Sequence, residues 1–232
     1  MIVLETVDLA KVYRGGDGGE ITVLDGINLQ VARGEMVAVV GASGAGKSTL
    51  LHLLGALDRP TRGVVRIAGE SLERRSDEEL SALRNRAVGF VFQFHHLLRE
   101  FTALENVMMP LRIAGWTAGR ARARASELLD RVGLAARMGH KPAALSGGEQ
   151  QRTAVARALA IDPAVLLADE PSGNLDHANS ERLHDLFVSL SHDLETAMVI
   201  ATHNPSLAAR ADRTMLLEDG RLTETAVREV VP

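Results

Sequence analysis

Met36-Val37-Ala38-Val39-Val40-Gly41-Ala42-Ser43-Gly44-Ala45-Gly46-Lys47-Ser48 sets an unbroken apolar run directly before a stretch of the form G-x-x-x-x-G-K-[ST]. A short continuous apolar run reads as a strand covered on both faces, and residues 47–57 continue with a helical pattern. Strand, glycine-rich loop and helix in that order predict a phosphate-binding loop. Glycines let successive backbone N–H groups turn inward around an anion, the helix N-terminus adds the positive end of its dipole, and Lys47 supplies a point charge to β and γ phosphates. The Ser48 hydroxyl is placed to ligate Mg²⁺, which takes oxygen ligands in octahedral geometry beside phosphates. The motif is shared by kinases, GTPases and ATPases, so it names a class of ligand and leaves the reaction open.

Working outward, residues 165–168 and 198–201 are further short apolar runs, which with 36–40 predict a parallel core sheet. Ile27, Leu29 and Val31 alternate with Asn28 and Gln30, and Val3 to Leu9 is a looser relative, the period of half-buried strands in an antiparallel edge region. Helical stretches cover 77–86, behind a Ser76/Glu79 capping box, then 118–131, 147–160 and 177–190. Alternating strands and helices give an α/β class. Between about 99 and 157 two helical regions follow one another without a buried strand. One domain over 1–232 is therefore expected, with an α/β core at about 1–98 and 158–232 and an inserted helical subdomain at about 99–157. Residues 14–20 read as a glycine-rich turn between strands, and 223–232 are equally open to strand, helix or tail.

The 232 residues are 46% apolar and 24% charged, the balance of a folded globular chain. A net charge of −4 supplies no positive field to attract nucleic acid, so no nucleic-acid partner is expected. Cysteine is absent, which excludes disulfides and thiolate metal sites and fits a reducing compartment. The N-terminus lacks the basic start and apolar run of a signal peptide. No apolar run approaches the roughly 20 residues of a membrane helix, so membrane contact is expected through partners only.

Two further motifs carry chemistry. Asp169-Glu170 closes an apolar strand, where open α/β sheets place their ligands. Asp169 suits the Mg²⁺ shell and Glu170 suits polarising a water that attacks a γ-phosphate. In Leu145-Ser146-Gly147-Gly148-Glu149, Ser146 and Glu149 have capping-box spacing. Two glycines in a first helical turn, each costing roughly 1 kcal/mol against alanine in a helix interior, make sense where something must approach the backbone closely, and a helix N-terminus favours a phosphate.

Residues 145–152, LSGGEQQR, resemble the signature of the ATP-binding cassette family, and the resemblance extends over essentially the whole chain. It implies a P-loop ATPase with an antiparallel β edge and a helical insertion, binding ATP and Mg²⁺. It implies ATP contacts from Tyr13, stacked on adenine, and from Gly41, Ala42, Ser43, Gly44, Ala45, Gly46, Lys47, Ser48 and Thr49. Mg²⁺ would fall to Ser48, Asp169 and Gln93, the last linking it to a membrane subunit, and catalysis to Glu170 with His203 on the γ-phosphate. Asn174-Leu175-Asp176 would form the D-loop at a homodimer seam, where Ser146, Gly147, Gly148 and Glu149 meet the partner copy's ATP. Membrane-spanning permease subunits would be separate chains, placing this one peripherally on the cytoplasmic face of the inner membrane.

Residues 93–98 and 101–107, QFHHLL and FTALENV, are most similar to ATPases of lipoprotein-releasing systems, whereas 168–176, ADEPSGNLD, is shared with macrolide-efflux and cell-division relatives, the last acting as switches. A P-loop kinase would give LSGGEQQR no purpose. Asn204 stands where the family usually has Asp and Ser172 where close relatives often have Thr; Asn204 also reads as an N-cap before Pro205. His95 and His96 read as part of a docking surface, His177, His184 and His192 as a solvated helix face, and Arg120, Arg122 and Arg124 as solvent-facing charge.

Overall fold

The structure, a computed structural model, describes residues 1–16 and 18–225. In chain order the strands and helices are β1 Ile2–Arg14, β2 Glu20–Ala32, β3 Met36–Val40, α1 Lys47–Leu54, β4 Arg62–Ile67, β5 Glu70–Ser71, α2 Asp77–Ala87, β6 Val88–Phe92, α3 Ala103–Ile113 and α4 Ala118–Arg131. After two short 3-10 turns come α5 Gly147–Ala158, β7 Val165–Asp169, α6 His177–Leu194, β8 Ala197–Ala201, α7 Pro205–Ala208, β9 Arg213–Glu218 and β10 Arg221–Thr225.

Two sheets result. An antiparallel sheet has the order β2-β1-β4-β5, and the core sheet has the order β10-β9-β3-β8-β7-β6, parallel except for β10. The three apolar runs occupy the centre of the core sheet: every residue of β3 and β8 is buried, and in β7 only the final Asp169 is half-exposed. One apolar core joins the antiparallel sheet, α1 and α2 to one face of the core sheet. A second packs α3, α4, α5 and α6 on the other face, through residues such as Val107, Leu128, Val155, Leu166 and Phe187.

The sequence misses several elements for physical reasons. In β6 the run is broken by Gly89, against which the carbonyl of Ala158 packs so closely that a Cβ would lie 2.4 Å from it. The interior Pro110 hides α3, which starts with a Thr102/Glu105 capping box and keeps Pro110 inside. Strands β4, β9 and β10 carry polar residues at exposed positions. The turn at 14–20 joins β1 to β2 as expected, with Asp17 outside the described residues. Of 223–232, Thr223 to Thr225 end β10 and 226–232 lie outside the described residues.

Candidate active site

The loop after β3 wraps around the start of α1. Lys47 is only 9% exposed, and its Nζ donates to the carbonyls of Gly41 at 2.8 Å and Ala42 at 3.0 Å. Both partners are neutral, so the loop holds a buried cation that an anion can still neutralise. The N-cap of α1 is Gly46, in the left-handed region at φ 103°, with no side-chain cap. Ser76, Thr102 and Ser146 each accept a backbone N–H at the start of their helices; α1 leaves that task to another acceptor, as an anion-binding helix end does.

A cleft of about 370 Å³ runs from Ser43, Gly44 and Gly46 through Lys47, Ser48 and Thr49 to Asp169 and Glu170. It exists because β7 lies next to β8, which lies next to β3, so their C-terminal ends open on one side. Glu170 adopts φ 44°, an unfavourable conformation for a residue with a Cβ. Its N–H donates to Ala201 at 2.9 Å, which ties the strained residue to the end of β8. Its carboxylate lies 2.8 Å from His203 Nδ1 and accepts the His203 N–H at 3.2 Å.

The donor set around the cleft suits a hard cation. Ser48 and Asp169 both line it with oxygen, and among the described residues no group of three His, Cys, Asp or Glu side chains could hold an ion alone. A cation here would draw most of its ligands from phosphate and water, as Mg²⁺ does beside nucleotides. Gln93, expected in that shell, does not line the cleft: its Nε2 donates to Asn174 Oδ1 at 3.1 Å, and Asn174 Nδ2 donates back to the Gln93 carbonyl at 3.1 Å.

Tyr13, at the end of β1, is 40% exposed. Its hydroxyl donates to Asp58 at 2.9 Å, and Lys11 Nζ, itself 2.8 Å from Asp58, sits 4.7 Å from the ring centroid. Burial, then the Asp58 hydrogen bond, pushes the Tyr13 phenol above its ordinary range, against a smaller opposing effect of the Thr49 side chain. Lys11 and Asp58, which the sequence gives no reason to single out, thus brace the ring from below and from its edge.

None of residues 146–149 is among those lining this cleft. The Ser146/Glu149 capping box forms as expected, with the Ser146 N–H on Glu149 at 2.8 Å and the return bond at 3.3 Å. The glycines need separate explanations. A Cβ on Gly147 would make only ordinary contact, whereas one on buried Gly148 would lie 2.8 Å from Asn179 Oδ1. Close approach at Gly148 therefore comes from α6 of the same chain. Asp176 caps α6 by accepting the N–H of Asn179 at 2.8 Å and its Nδ2 at 2.7 Å, and Leu175 is half-buried against Gly147.

A family model for ABC transporters matches residues 24–173, which span the loop, the LSGGEQQR stretch and the Asp169-Glu170 pair. The chain belongs to the ABC transporter family. A curated relative, the lipoprotein-releasing system ATP-binding protein LolD of Geobacter metallireducens, is 56% identical over 220 residues, covering 95% of this chain and 97% of its own. The same-named protein of Chromohalobacter salexigens is 54% identical, covering 97% and 94%. A dimeric ATP-binding cassette solved in a post-hydrolysis state with ADP and Pi superposes with a TM-score of 0.87 at 38% identity, over 97% of this chain and 99% of that one. As an ABC cassette the chain has an α/β P-loop fold.

Other residues with structural weight carry weaker sequence signals. Asn106 is fully buried in α3 and makes four bonds to 98–102: its Oδ1 accepts the Leu98 N–H at 2.8 Å, and its Nδ2 donates to the carbonyls of Leu98, Phe101 and Thr102 at 3.0–3.1 Å. Arg157 of α5 donates to the carbonyls of His96 at 2.7 Å and His95 at 2.9 Å. Arg124 is not simply solvent-facing, since it pairs with Asp162 and Glu127. His184 is not solvated at all: unlike exposed His177 and His192 it is fully buried.

Proposed function

We propose that this chain is the ATP-hydrolysing subunit of a complex that releases lipoproteins from the inner membrane. The observation that carries the ATPase reading is the cleft, where a buried cation on an uncapped helix faces a Ser48 hydroxyl and the Asp169-Glu170 carboxylates. The identity to lipoprotein-releasing ATP-binding proteins over nearly the whole chain supports the cargo.

In this reading the loop of residues 41–49 cradles the phosphates of ATP, and Lys47 gives up its bonds to the Gly41 and Ala42 carbonyls for β and γ oxygens. Tyr13 offers the ring face away from Lys11 to adenine. Ser48 and Asp169, with Gln93 after it leaves Asn174, would hold Mg²⁺, which when bound neutralises the phosphate charge. Glu170 accepts a proton from the attacking water, and His203, held by the same carboxylate, contacts the γ-phosphate.

Two copies pair head to tail, so that Ser146, Gly147, Gly148 and Glu149 of one meet ATP in the cleft of the other, with Asn174, Leu175 and Asp176 at the seam. The placement of the signature outside its own chain's cleft and the dimeric relative both support this. Among the described residues no helix is long and apolar enough to cross a membrane. Membrane contact would then run through permease subunits on the cytoplasmic face. The groove of about 310 Å³ lined by Phe92, Leu98, Pro110 and Ile113, beside exposed Phe94, suits them. The helices between β6 and β7 act as a subdomain that carries the signature.

The test is affinity purification of this chain from detergent-solubilised native membranes, with mass spectrometry of what accompanies it. A permease co-purifying with lipoproteins supports the proposal. A division-site or efflux partner would move the cargo assignment and leave the ATPase chemistry in place.

A further inference from the structure

His184 is a histidine inside the protein that the hydrolytic chemistry does not use. Its Nε2 is 3.0 Å from Ser172 Oγ, and its buried Nδ1 lies 3.4 Å from Glu181 Oε1, in charge contact without hydrogen-bond geometry. Burial holds the imidazole below the ordinary histidine range, so near neutral pH one ring nitrogen donates and the other accepts. Serine, histidine and glutamate in a row resemble an activated nucleophile. Ser172 is only 6% exposed, however, which leaves no room for a substrate and points to an internal task.

Each end of the row is anchored near the reacting groups. Ser172 lies in the turn that starts at Glu170: the Gly173 N–H donates to the Glu170 carbonyl at 3.0 Å, and the Leu175 N–H to the Ser172 carbonyl at 3.1 Å. Glu181 accepts the Ser206 hydroxyl at 2.8 Å and pairs with Arg210. Ser206 is in α7, whose first turn is capped by Asn204, the residue after His203. Behind the cleft, then, Ser172, His184, Glu181 and Ser206 connect the segment carrying Glu170 to the segment carrying His203. In front of it the two side chains touch directly.

We propose that His184 is a positioning residue which, through Ser172 and Glu181, fixes the separation of the strand ends that present Glu170 and His203. The proposal rests on the ATPase reading above. Small errors in the placement of reacting groups cost rate and leave nucleotide affinity intact, because Lys47, Ser48 and Tyr13 are on other elements.

The experiment measures kcat and KM for Mg-ATP, with melting temperature, on the full chain and its variants. His184→Leu fills the same space without a polar atom, and kcat is expected to fall about tenfold with KM unchanged. His184→Gln, whose amide can reach Ser172 in place of Nε2, should recover most of that loss. Ser172→Ala, a small change that keeps the turn backbone, should lower kcat by a similar factor, and the double variant should fall no further. A lower melting temperature with kcat unchanged would show a merely structural residue and overturn the proposal, as would a raised KM or additive losses. No hydrolysis by the unaltered chain would overturn the ATPase reading and this proposal with it; hydrolysis unaffected by both single variants would overturn this proposal alone.

Discussion

Glu170 and His203 come from the ends of neighbouring strands, β7 and β8, and hold each other twice, through the carboxylate on Nδ1 at 2.8 Å and on the backbone N–H at 3.2 Å. A carboxylate fixed in this way can take a water proton without first being oriented. Replacing it with an amide of the same shape keeps the contacts and removes the base. Glu170→Gln is expected to bind ATP normally, to lose at least about a hundredfold in turnover, and to accumulate as an ATP-dependent dimer on size-exclusion chromatography. Undiminished hydrolysis would remove Glu170 from its assigned role.

Lys47→Ala takes away the buried charge and its bonds to the carbonyls of Gly41 and Ala42, the latter keeping the Ala45 N–H. Loss of one charge-assisted bond predicts about 10- to 100-fold weaker ATP binding, read by titration with a fluorescent nucleotide. Affinity equal to that of the unaltered chain would contradict the phosphate-loop reading.

The central strands, the loop, the Asp169-Glu170 pair and the capping boxes at Ser76 and Ser146 were legible because each is written in adjacent residues: an apolar run, a fixed glycine spacing, a cap three positions from its acid. What was not legible depends on a neighbour far along the chain. Gly148 is small because Asn179 packs on it, and His184 is buried because α6 turns that face towards Ser172. Gln93 bonds Asn174, 81 residues away. No spacing rule within a helix or loop encodes such meetings, and α3 stayed hidden because an internal proline ordinarily argues against a helix.

Asn106 ties the segment at 98–102 to α3 through a buried side chain. Asn106→Leu preserves size but leaves the Leu98 N–H and the Phe101 carbonyl without their partner, and the carbonyls of Leu98 and Thr102 keep only the backbone N–H groups of Phe101 and Asn106. The expected loss is about 3 kcal/mol of stability, measured by urea denaturation, and protection of the Leu98 amide against hydrogen exchange should fall. A change within error would mean that water replaces these bonds without cost.

Acid should unpick the helix starts. Glu79 and Glu105 are held below the ordinary carboxylate value of 4.5, first by the backbone N–H of Ser76 and of Thr102 respectively. Because the folded values are depressed, their contribution is complete above about pH 4.5 and is lost as pH falls through the lower folded values. Melting temperature followed by circular dichroism should therefore fall below pH 4.5, and less steeply in the Glu79→Gln, Glu105→Gln double variant. Identical slopes would show that these boxes carry no acid sensitivity.

Arg157 grips the segment after Gln93 by its main-chain oxygens, not by the imidazoles of His95 and His96. Any amino acid other than one that distorts the backbone presents those same oxygens. In the proposed complex the side chains at 95 and 96 could thus diverge to suit a new membrane partner while the segment stays attached to α5, which would separate the choice of partner from the coupling to the signature.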